Sequence, residues 1–213
     1  MVELADFAFA FMDCEFGGLD PELHDITEIA VIVTDYRLDE LAAGEWKIAA
    51  RPHRITPESA EISGYRAEDW ESALHLREVL AAVDALLPKG KTVVPAGQNV
   101  RMDVSFLERA YRACERPYPF DYHVIDLATL FYTWSLVAGE PVAALSLRQA
   151  AINAGLIDGP VPHRAMADAR LTLDTFRHYV GRLSLRPLSD APVPPRTAGP
   201  GADPPSGDSG PMS

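Results

Sequence analysis

Two apolar runs near the N-terminus constrain the fold more than any other feature of the chain. Residues 7–12 alternate phenylalanine with smaller apolar side chains, and residues 28–34 are rich in β-branched residues. Both runs have the length and composition of buried strands. The intervening segment 17–21, Gly-Gly-Leu-Asp-Pro, has turn composition. The pattern therefore predicts two consecutive strands joined by a loop.

The rest of the body predicts strands that alternate with helices. Further strands are expected over 45–50, 92–96 and 124–125. Helical spacing of apolar residues predicts helices over 74–87, 103–114, 127–137, 145–154 and 164–182. Strands first, and then strands alternating with helices, indicate an α/β fold with a mixed sheet flanked by helices.

The composition separates a folded body from a tail. A chain of 213 residues can form one domain with an appendage. Residues 186–213 contain 8 of the 18 prolines, together with Gly, Ser and Asp. Such a segment buries too little apolar surface to offset the entropy of ordering. We therefore predict a domain over 1–184 and a disordered tail over 185–213.

The same sequence favours a cytoplasmic protein with no membrane partner. No signal-peptide pattern is visible at the N-terminus, and no run approaches the roughly 20 apolar residues that span a bilayer. The two cysteines, Cys14 and Cys114, form no recognisable pattern. The net charge of −12 argues against long electrostatic tracking along a nucleic acid, so any nucleic-acid contact is expected to be short.

Acidic residues follow the first predicted strand. Asp13 and Glu15 are two positions apart, so in a strand both side chains point to the same face. They follow an apolar run, where charged groups are costly unless they are paired or bound to metal. The pair predicts a cation site, and two acids at a solvated strand end remain the alternative.

Two later segments carry further polar residues at predicted element boundaries. Asn99 and Asp103 lie where a strand leads into a helix, and His163 and Asp168 lie where a loop leads into the last helix. Taken alone, the first pair is also explained by helix capping and the helix dipole. The second pair is also explained as an exposed histidine and an acid of the first helical turns. Together, carboxylates and an imidazole are suited to two-metal phosphodiester hydrolysis.

In this order, the segments resemble the DEDDh family of 3′→5′ exonucleases, which includes the epsilon subunit of bacterial DNA polymerase III and the oligoribonucleases. Residues 12–15 resemble the first family motif, residues 97–107 the second and residues 163–169 the third. Residues 62–69 resemble a segment of epsilon-type members. The resemblance covers about residues 7–180.

The resemblance implies an RNase H-like exonuclease fold with a five-stranded mixed sheet, and two Mg²⁺ or Mn²⁺ ions. Asp13 would bridge both ions, while Glu15 and Asp168 would complete the site of the attacking water. Asp103 would hold the second ion, directly or through water. His163 would be the general base on that water, and a nucleoside 5′-monophosphate would be released.

The resemblance also implies a site for the terminal nucleotide. The residues predicted to bind substrate are Phe16, Gly17, Gly18, Leu19, Asn99 and Phe106. Epsilon-type members usually place hydroxyl residues before the glycine, whereas this chain has Phe16 and Gly17 there. Phe16 is therefore predicted either to stack on a base or sugar or to belong to the core.

Three functions follow from the resemblance. The first is a 3′→5′ exonuclease on single-stranded DNA or frayed 3′ ends, with possible roles in proofreading and DNA repair. The second is an oligoribonuclease-like enzyme on short RNA. The third is a non-catalytic module that binds nucleic acid or a polymerase. Epsilon-type proteins bind their polymerase through a C-terminal extension, which makes a DNA polymerase a candidate partner.

Overall fold

The described part of the chain, residues 3–161 and 163–183 of a computed structural model, contains five strands and six α-helices. The strands are β1 (Phe7–Phe16), β2 (Ile26–Asp35), β3 (Glu40–Lys47), β4 (Thr92–Gly97) and β5 (Ile125–Asp126). The helices are α1 (Pro57–Ser63), α2 (Leu76–Leu86), α3 (Arg101–Ala113), α4 (Leu127–Ala138), α5 (Leu147–Asn153) and α6 (Ala165–Leu183). The predicted disordered tail lies outside the described residues.

The strands form one mixed sheet in the order β3-β2-β1-β4-β5. The first three strands pair antiparallel, and β4 and β5 add parallel to β1 and to each other. The pairing of β1 with β4 ends at Phe11 and Ala96, so the last residues of β1 extend beyond β4. This extension leaves space beside Asp13 and Glu15 at the edge where the parallel strands end.

The sheet is covered by helices on both faces because β1 is apolar on both sides. Ala8, Ala10, Met12 and Cys14 join a core cluster that also contains residues of α2 and α3. Phe11 joins the opposite cluster, to which α4, α5 and α6 contribute. Since side chains of a strand alternate between faces, Asp13 and Glu15 share the face of Phe11, on which α6 packs.

The structure differs from the predicted elements at β3 and at α1. The third strand covers Glu40–Lys47 rather than 45–50, because backbone pairing with β2 extends it across the Ala-Ala-Gly segment 42–44 despite weak strand propensity. Helix α1 was not predicted, although Thr56 caps it, Pro57 begins it and Gly64 ends it in the left-handed conformation. These three signals are typical of helix ends.

Within the described ranges, none of the helices combines the length and apolarity that a bilayer crossing requires.

Candidate active site

Three carboxylates meet where β1 passes α6. One oxygen each of Asp13, Glu15 and Asp168 lies within 4.8 Å of the other two. Asp13 and Glu15 point to the same side of β1, and Asp168 comes from the first turn of α6. Ala165, Ala169 and Leu173 pack α6 on the sheet, and this packing brings its acid to the strand. The structure thus joins residues that are more than 150 positions apart in sequence.

The electrostatics of this cluster favour a bound cation. Burial first, and then the neighbouring Asp168 and Glu28, together raise the pKa of Glu15 to about 7, while Arg164 acts in the opposite direction. Burial raises the pKa of Asp168 to about 6, although the His163 charge and backbone act in the opposite direction. The pKa of Asp13 is raised by burial and then by its acidic neighbours, Asp103 first. A divalent cation would relieve this repulsion.

The hydrogen bonding of the cluster also fits a metal. Asp168 Oδ1 is buried and has no hydrogen-bond partner among the described residues. A buried carboxylate oxygen without a partner is costly unless a ligand or water satisfies it. Carboxylate oxygens are the ligands that Mg²⁺ and Mn²⁺ prefer. The residues present therefore suit the predicted ions.

Asp103 lies beside the cluster but outside the group of three that share the 4.8 Å separation. It belongs to α3, which packs on the opposite face of the sheet, and its Oδ1 accepts the Cys14 backbone N–H at 2.9 Å. Burial raises the pKa of Asp103 to about 7, against that hydrogen bond. Asp103 is nevertheless the acidic neighbour that raises the pKa of Asp13 most, so its predicted part in the metal site, directly or through water, stays a prediction.

His163 is exposed on the wall of a cavity of about 410 Å³ that also contains Asp13 and Asp168. Its φ of 52° lies in the left-handed region, where histidine occurs more often than most residues with a side chain. This backbone turn directly precedes α6. The remaining residues around the cavity are Gln98, Ser146, Leu147, Arg148, Pro160 and Val161.

A separate groove next to Glu15 is lined by several of the residues predicted to bind substrate. It has a volume of about 130 Å³ and is lined by Glu15, Phe16, Gly18, Leu19, Ser59, Ile62 and Met102. Leu19 is 83% exposed although it is apolar. Ile62, from the unpredicted helix α1, is also exposed on the facing wall. The groove is suited to a flat apolar group such as a nucleobase.

Gly17 is buried next to this groove, where no larger residue fits. A Cβ at this position would lie 2.3 Å from the Arg54 carbonyl oxygen. The Gly17 carbonyl accepts the Thr56 backbone N–H at 2.7 Å. The hydroxyl residue of epsilon-type members therefore has no room here, and Gly17 contributes its backbone to the wall.

Phe106 is buried, whereas Asn99 is exposed. Phe106 is only 2% exposed and stacks on Phe16, with ring centroids 4.1 Å apart. It supports Phe16 from within the core, and its predicted contact with the substrate stays a prediction. Asn99 is exposed with a φ of 53°, and Val100 rather than Asn99 occupies the N-cap position of α3.

Sequence reasoning missed Glu28, which is 1% exposed and lies opposite Glu15 in the pairing of β1 with β2. Neither of its carboxylate oxygens has a hydrogen-bond partner in the described ranges, and Arg164 Nη2 lies 3.5 Å from Oε1. Burial is the main cause that raises its pKa. An acid at the start of a fully buried strand was the signal that could have identified it.

The chain is similar to proteins of known activity. The oligoribonuclease of Photobacterium profundum is 28% identical over 146 residues, covering 60% of this chain and 75% of that protein. The oligoribonuclease of Pseudomonas entomophila is 29% identical over 180 residues, covering 79% and 92% respectively.

Solved structures of exonuclease I have the same fold. A zinc-bound E. coli exonuclease I complex with single-stranded DNA superposes with a TM-score of 0.68 at 19% identity, covering 84% of this chain and 41% of that one. Exonuclease I of Methylocaldum szegediense gives a TM-score of 0.65 at 21% identity, with coverage of 84% and 41%. The chain thus spans about two fifths of the exonuclease I chains.

These findings confirm the expected RNase H-like fold with its mixed five-stranded sheet, and the resemblance to 3′→5′ exonucleases. Residues 10–176, which include most of β1 and most of α6, match the model of the RNase T family, described as exonuclease. The chain belongs to this exonuclease family.

Proposed function

We propose that the protein is a metal-dependent 3′→5′ exonuclease that removes nucleoside 5′-monophosphates from single-stranded DNA or frayed 3′ ends. The observation that carries the proposal is the cluster of Asp13, Glu15 and Asp168 within 4.8 Å of one another. Its position between an open cavity and an apolar groove supports a substrate that crosses the cluster.

Asp13, Glu15 and Asp168 would hold the divalent ions, with Asp103 assisting directly or through water. Mg²⁺ and Mn²⁺ both suit this all-oxygen donor set, and two ions are proposed. When bound, such ions neutralise phosphate charge and lower the pKa of a coordinated water.

His163 is proposed as the general base, because its exposed imidazole shares a cavity with Asp13 and Asp168. The imidazole would accept the proton of the attacking water as the new P–O bond forms. The bond between phosphorus and the 3′-oxygen of the preceding nucleotide would break, and that oxygen would take a proton from solvent.

The groove is proposed to hold the 3′-terminal nucleotide. Leu19 and Ile62 would enclose its base from two sides, and Phe16 would pack on the base or sugar. Gly17 and Gly18 would allow close approach of the backbone, and Asn99 would position the neighbouring strand. Apolar and aromatic contacts of this kind accept any base.

The decisive experiment incubates the protein with 5′-labelled DNA and RNA oligomers in Mg²⁺, Mn²⁺ or EDTA. We expect a ladder shortened from the 3′ end in either metal and no shortening in EDTA. A 3′-terminal phosphorothioate linkage should delay the ladder, whereas the same linkage at the 5′ end should not. Protein that leaves every oligomer intact in both metals would contradict the proposal.

A second candidate is an oligoribonuclease-like activity on short RNA. It is favoured by the curated relatives at 28–29% identity, which bear that name, and by the net charge of −12, which suits a short contact. Rates on an RNA dinucleotide and on a DNA oligomer of about ten residues separate the two candidates. Faster hydrolysis of the RNA dinucleotide would favour the second.

Roles in proofreading and DNA repair, with a DNA polymerase as partner, rest on the epsilon-type resemblance alone. The tail that would carry such an interaction lies outside the described residues. A pull-down with the polymerase catalytic subunit, using the full chain and a chain ending at Leu183, tests this role. Equal recovery of the polymerase by both chains would show that the tail does not carry the interaction.

A further inference from the structure

Arg148 lies on the wall of the cavity that contains Asp13, Asp168 and His163. Of the described residues that line this cavity, it is the one with a permanently charged cationic side chain. The cavity would otherwise present carboxylates to a polyanionic substrate. A positively charged side chain, in addition to the proposed metal ions, would therefore favour entry of the strand.

The position of Arg148 is well defined by its neighbours. It occupies the first turn of α5, where the Ser146 hydroxyl accepts the Gln149 backbone N–H at 3.2 Å. The buried Tyr179 hydroxyl of α6 donates to the Ala150 carbonyl at 2.7 Å. Gln98 Nε2, just after β4, donates to the Leu145 carbonyl at 2.8 Å. The helix that carries Arg148 is thus connected to both sides of the cavity.

The guanidinium of Arg148 is oriented but not neutralised. Its Nε donates to the Gly159 carbonyl at 3.3 Å, and it makes no ion pair with any described residue. Arg164 in the last motif and Arg170 directly after it have other partners, since Arg164 pairs with Glu28 and Arg170 with Glu40. Arg148 therefore retains its Nη groups for a ligand.

We propose that Arg148 binds the phosphate one nucleotide 5′ to the cleaved bond, an inference that rests on the proposed exonuclease function. The carboxylate cluster with its ions accounts for the phosphate under attack, which leaves the guanidinium for the next phosphate of the strand. A planar guanidinium can donate two parallel hydrogen bonds to the oxygens of one phosphate. Arg148 would then fix the register of the strand in the cavity.

The test combines protein variants with neutral phosphates. One oligomer is natural, and another carries a single methylphosphonate at the linkage 5′ to the cleaved one. Both are assayed with the wild type, Arg148→Lys and Arg148→Met. Arg77→Met, an exposed arginine of α2 on the opposite face of the sheet, is the matched control.

In the wild type, neutralising this phosphate should lower kcat/KM by roughly 10- to 100-fold, as expected for charge-assisted hydrogen bonds. Arg148→Met should show a similar loss on the natural oligomer and little further loss on the modified one. Arg148→Lys should retain part of the difference in kcat/KM between the natural and the modified oligomer. Arg77→Met should retain all of that difference. A general folding defect would lower the rates on the natural and the modified oligomer equally. It would leave the ratio of the two rates unchanged.

An unchanged methylphosphonate penalty in Arg148→Met would overturn the proposal. A third oligomer carries its methylphosphonate one linkage further 5′, and loss of the penalty there in Arg148→Met would also overturn the proposal, because the contact would then be to another phosphate. The same comparison is made with Kd values from fluorescence anisotropy in Ca²⁺. Wild-type protein that binds the oligomer in Ca²⁺ but does not hydrolyse it in Mg²⁺ or Mn²⁺ would refute the exonuclease proposal. The ratios of the Kd values would still test Arg148.

Discussion

At the scale of single residues, the proposed chemistry depends on how each acid is placed and hydrogen-bonded. Asp168 contributes a buried oxygen without a partner, whereas Asp103 is engaged by the backbone N–H of Cys14. His163 is exposed beside the cluster and is not buried within it. Each of the roles proposed for these residues can be tested by one substitution.

His163→Asn should lower kcat by about 10²- to 10⁴-fold at neutral pH, because the variant retains a polar side chain but cannot accept the proton of water. Its Mn²⁺ affinity, measured by calorimetry, should stay near that of the wild type. His123→Asn is the control, since His123 is exposed and pairs with Asp121 away from the cavity. Turnover close to the wild-type value would remove His163 from the mechanism.

Asp168→Asn should abolish detectable turnover and weaken Mn²⁺ binding, because a neutral amide replaces a carboxylate ligand. Asp174→Asn on the same helix is the matched control, because Asp174 pairs with Arg177 outside the cluster. Calorimetry on both variants is the measurement. Unchanged Mn²⁺ affinity in Asp168→Asn would show that the ligand assignment is wrong.

At the scale of elements, the proposed substrate groove is formed by two segments that an ion pair connects. Leu19 lies in the loop between β1 and β2, and Ile62 lies on α1. Arg54, which precedes α1, donates to Asp25 Oδ1 at 2.7 Å and to the Glu22 and His24 carbonyls of the loop. The Arg54–Asp25 contact therefore holds one wall of the groove against the other.

Arg54→Met should raise KM by roughly tenfold with little change in kcat, because it removes charged hydrogen bonds from the groove wall but not from the carboxylates. Steady-state kinetics on a single-stranded oligomer measure the effect. Arg51→Met is the matched control: Arg51 also pairs with Asp25, but its side chain is 55% exposed against 13% for Arg54. Exposed ion pairs contribute little, so a smaller effect is expected there.

An equal fall in kcat and kcat/KM for Arg54→Met, with KM unchanged, would contradict this account. That result would indicate that the ion pair affects the chemical step and not the binding of the terminal nucleotide.

At the scale of the whole molecule, the acidic cluster links stability, pH and metal binding. Glu15 and Asp168 have pKa values raised to about 7 and about 6, above the values of 4.5 and 3.8 for the isolated side chains. The folded state therefore binds protons more tightly than the unfolded state does. Without metal, stability from these groups is lost as the pH rises from about 4 to about 7.

The melting temperature of the metal-free protein should accordingly fall by several degrees between pH 5 and pH 8. Saturating Mn²⁺ should raise it most at pH 8, where the carboxylates are ionised and bind metal without losing protons. Circular dichroism melts in EDTA and in Mn²⁺ provide the measurement.

The variant with both Glu15→Gln and Asp168→Asn separates this effect from the general repulsion within a chain of net charge −12. Its melting temperature should depend less on pH and should respond less to Mn²⁺. A pH dependence identical to that of the wild type would mean that groups outside the cluster control stability.

Much of the architecture follows from local patterns that a sequence displays directly. The apolar alternation of residues 7–12 predicts β1, and the spacing of Phe106, Leu107, Ala110 and Tyr111 predicts the buried face of α3. The extent of β3 could not be predicted, because an edge strand of small residues is determined by pairing with β2 and not by propensity.

The sequence alone determined which residues could do chemistry and that Asp13 and Glu15 share a face, because strand alternation is a local property. Only the tertiary structure decided that Asp168 joins them and that Asp103 reaches the Cys14 backbone from the other side, since α6 and α3 pack on opposite faces of the sheet. The positions of Arg148 and Glu28 likewise depend on packing between distant segments. Distances across the sheet come from how helices fit against it, and no pattern within a short window encodes them.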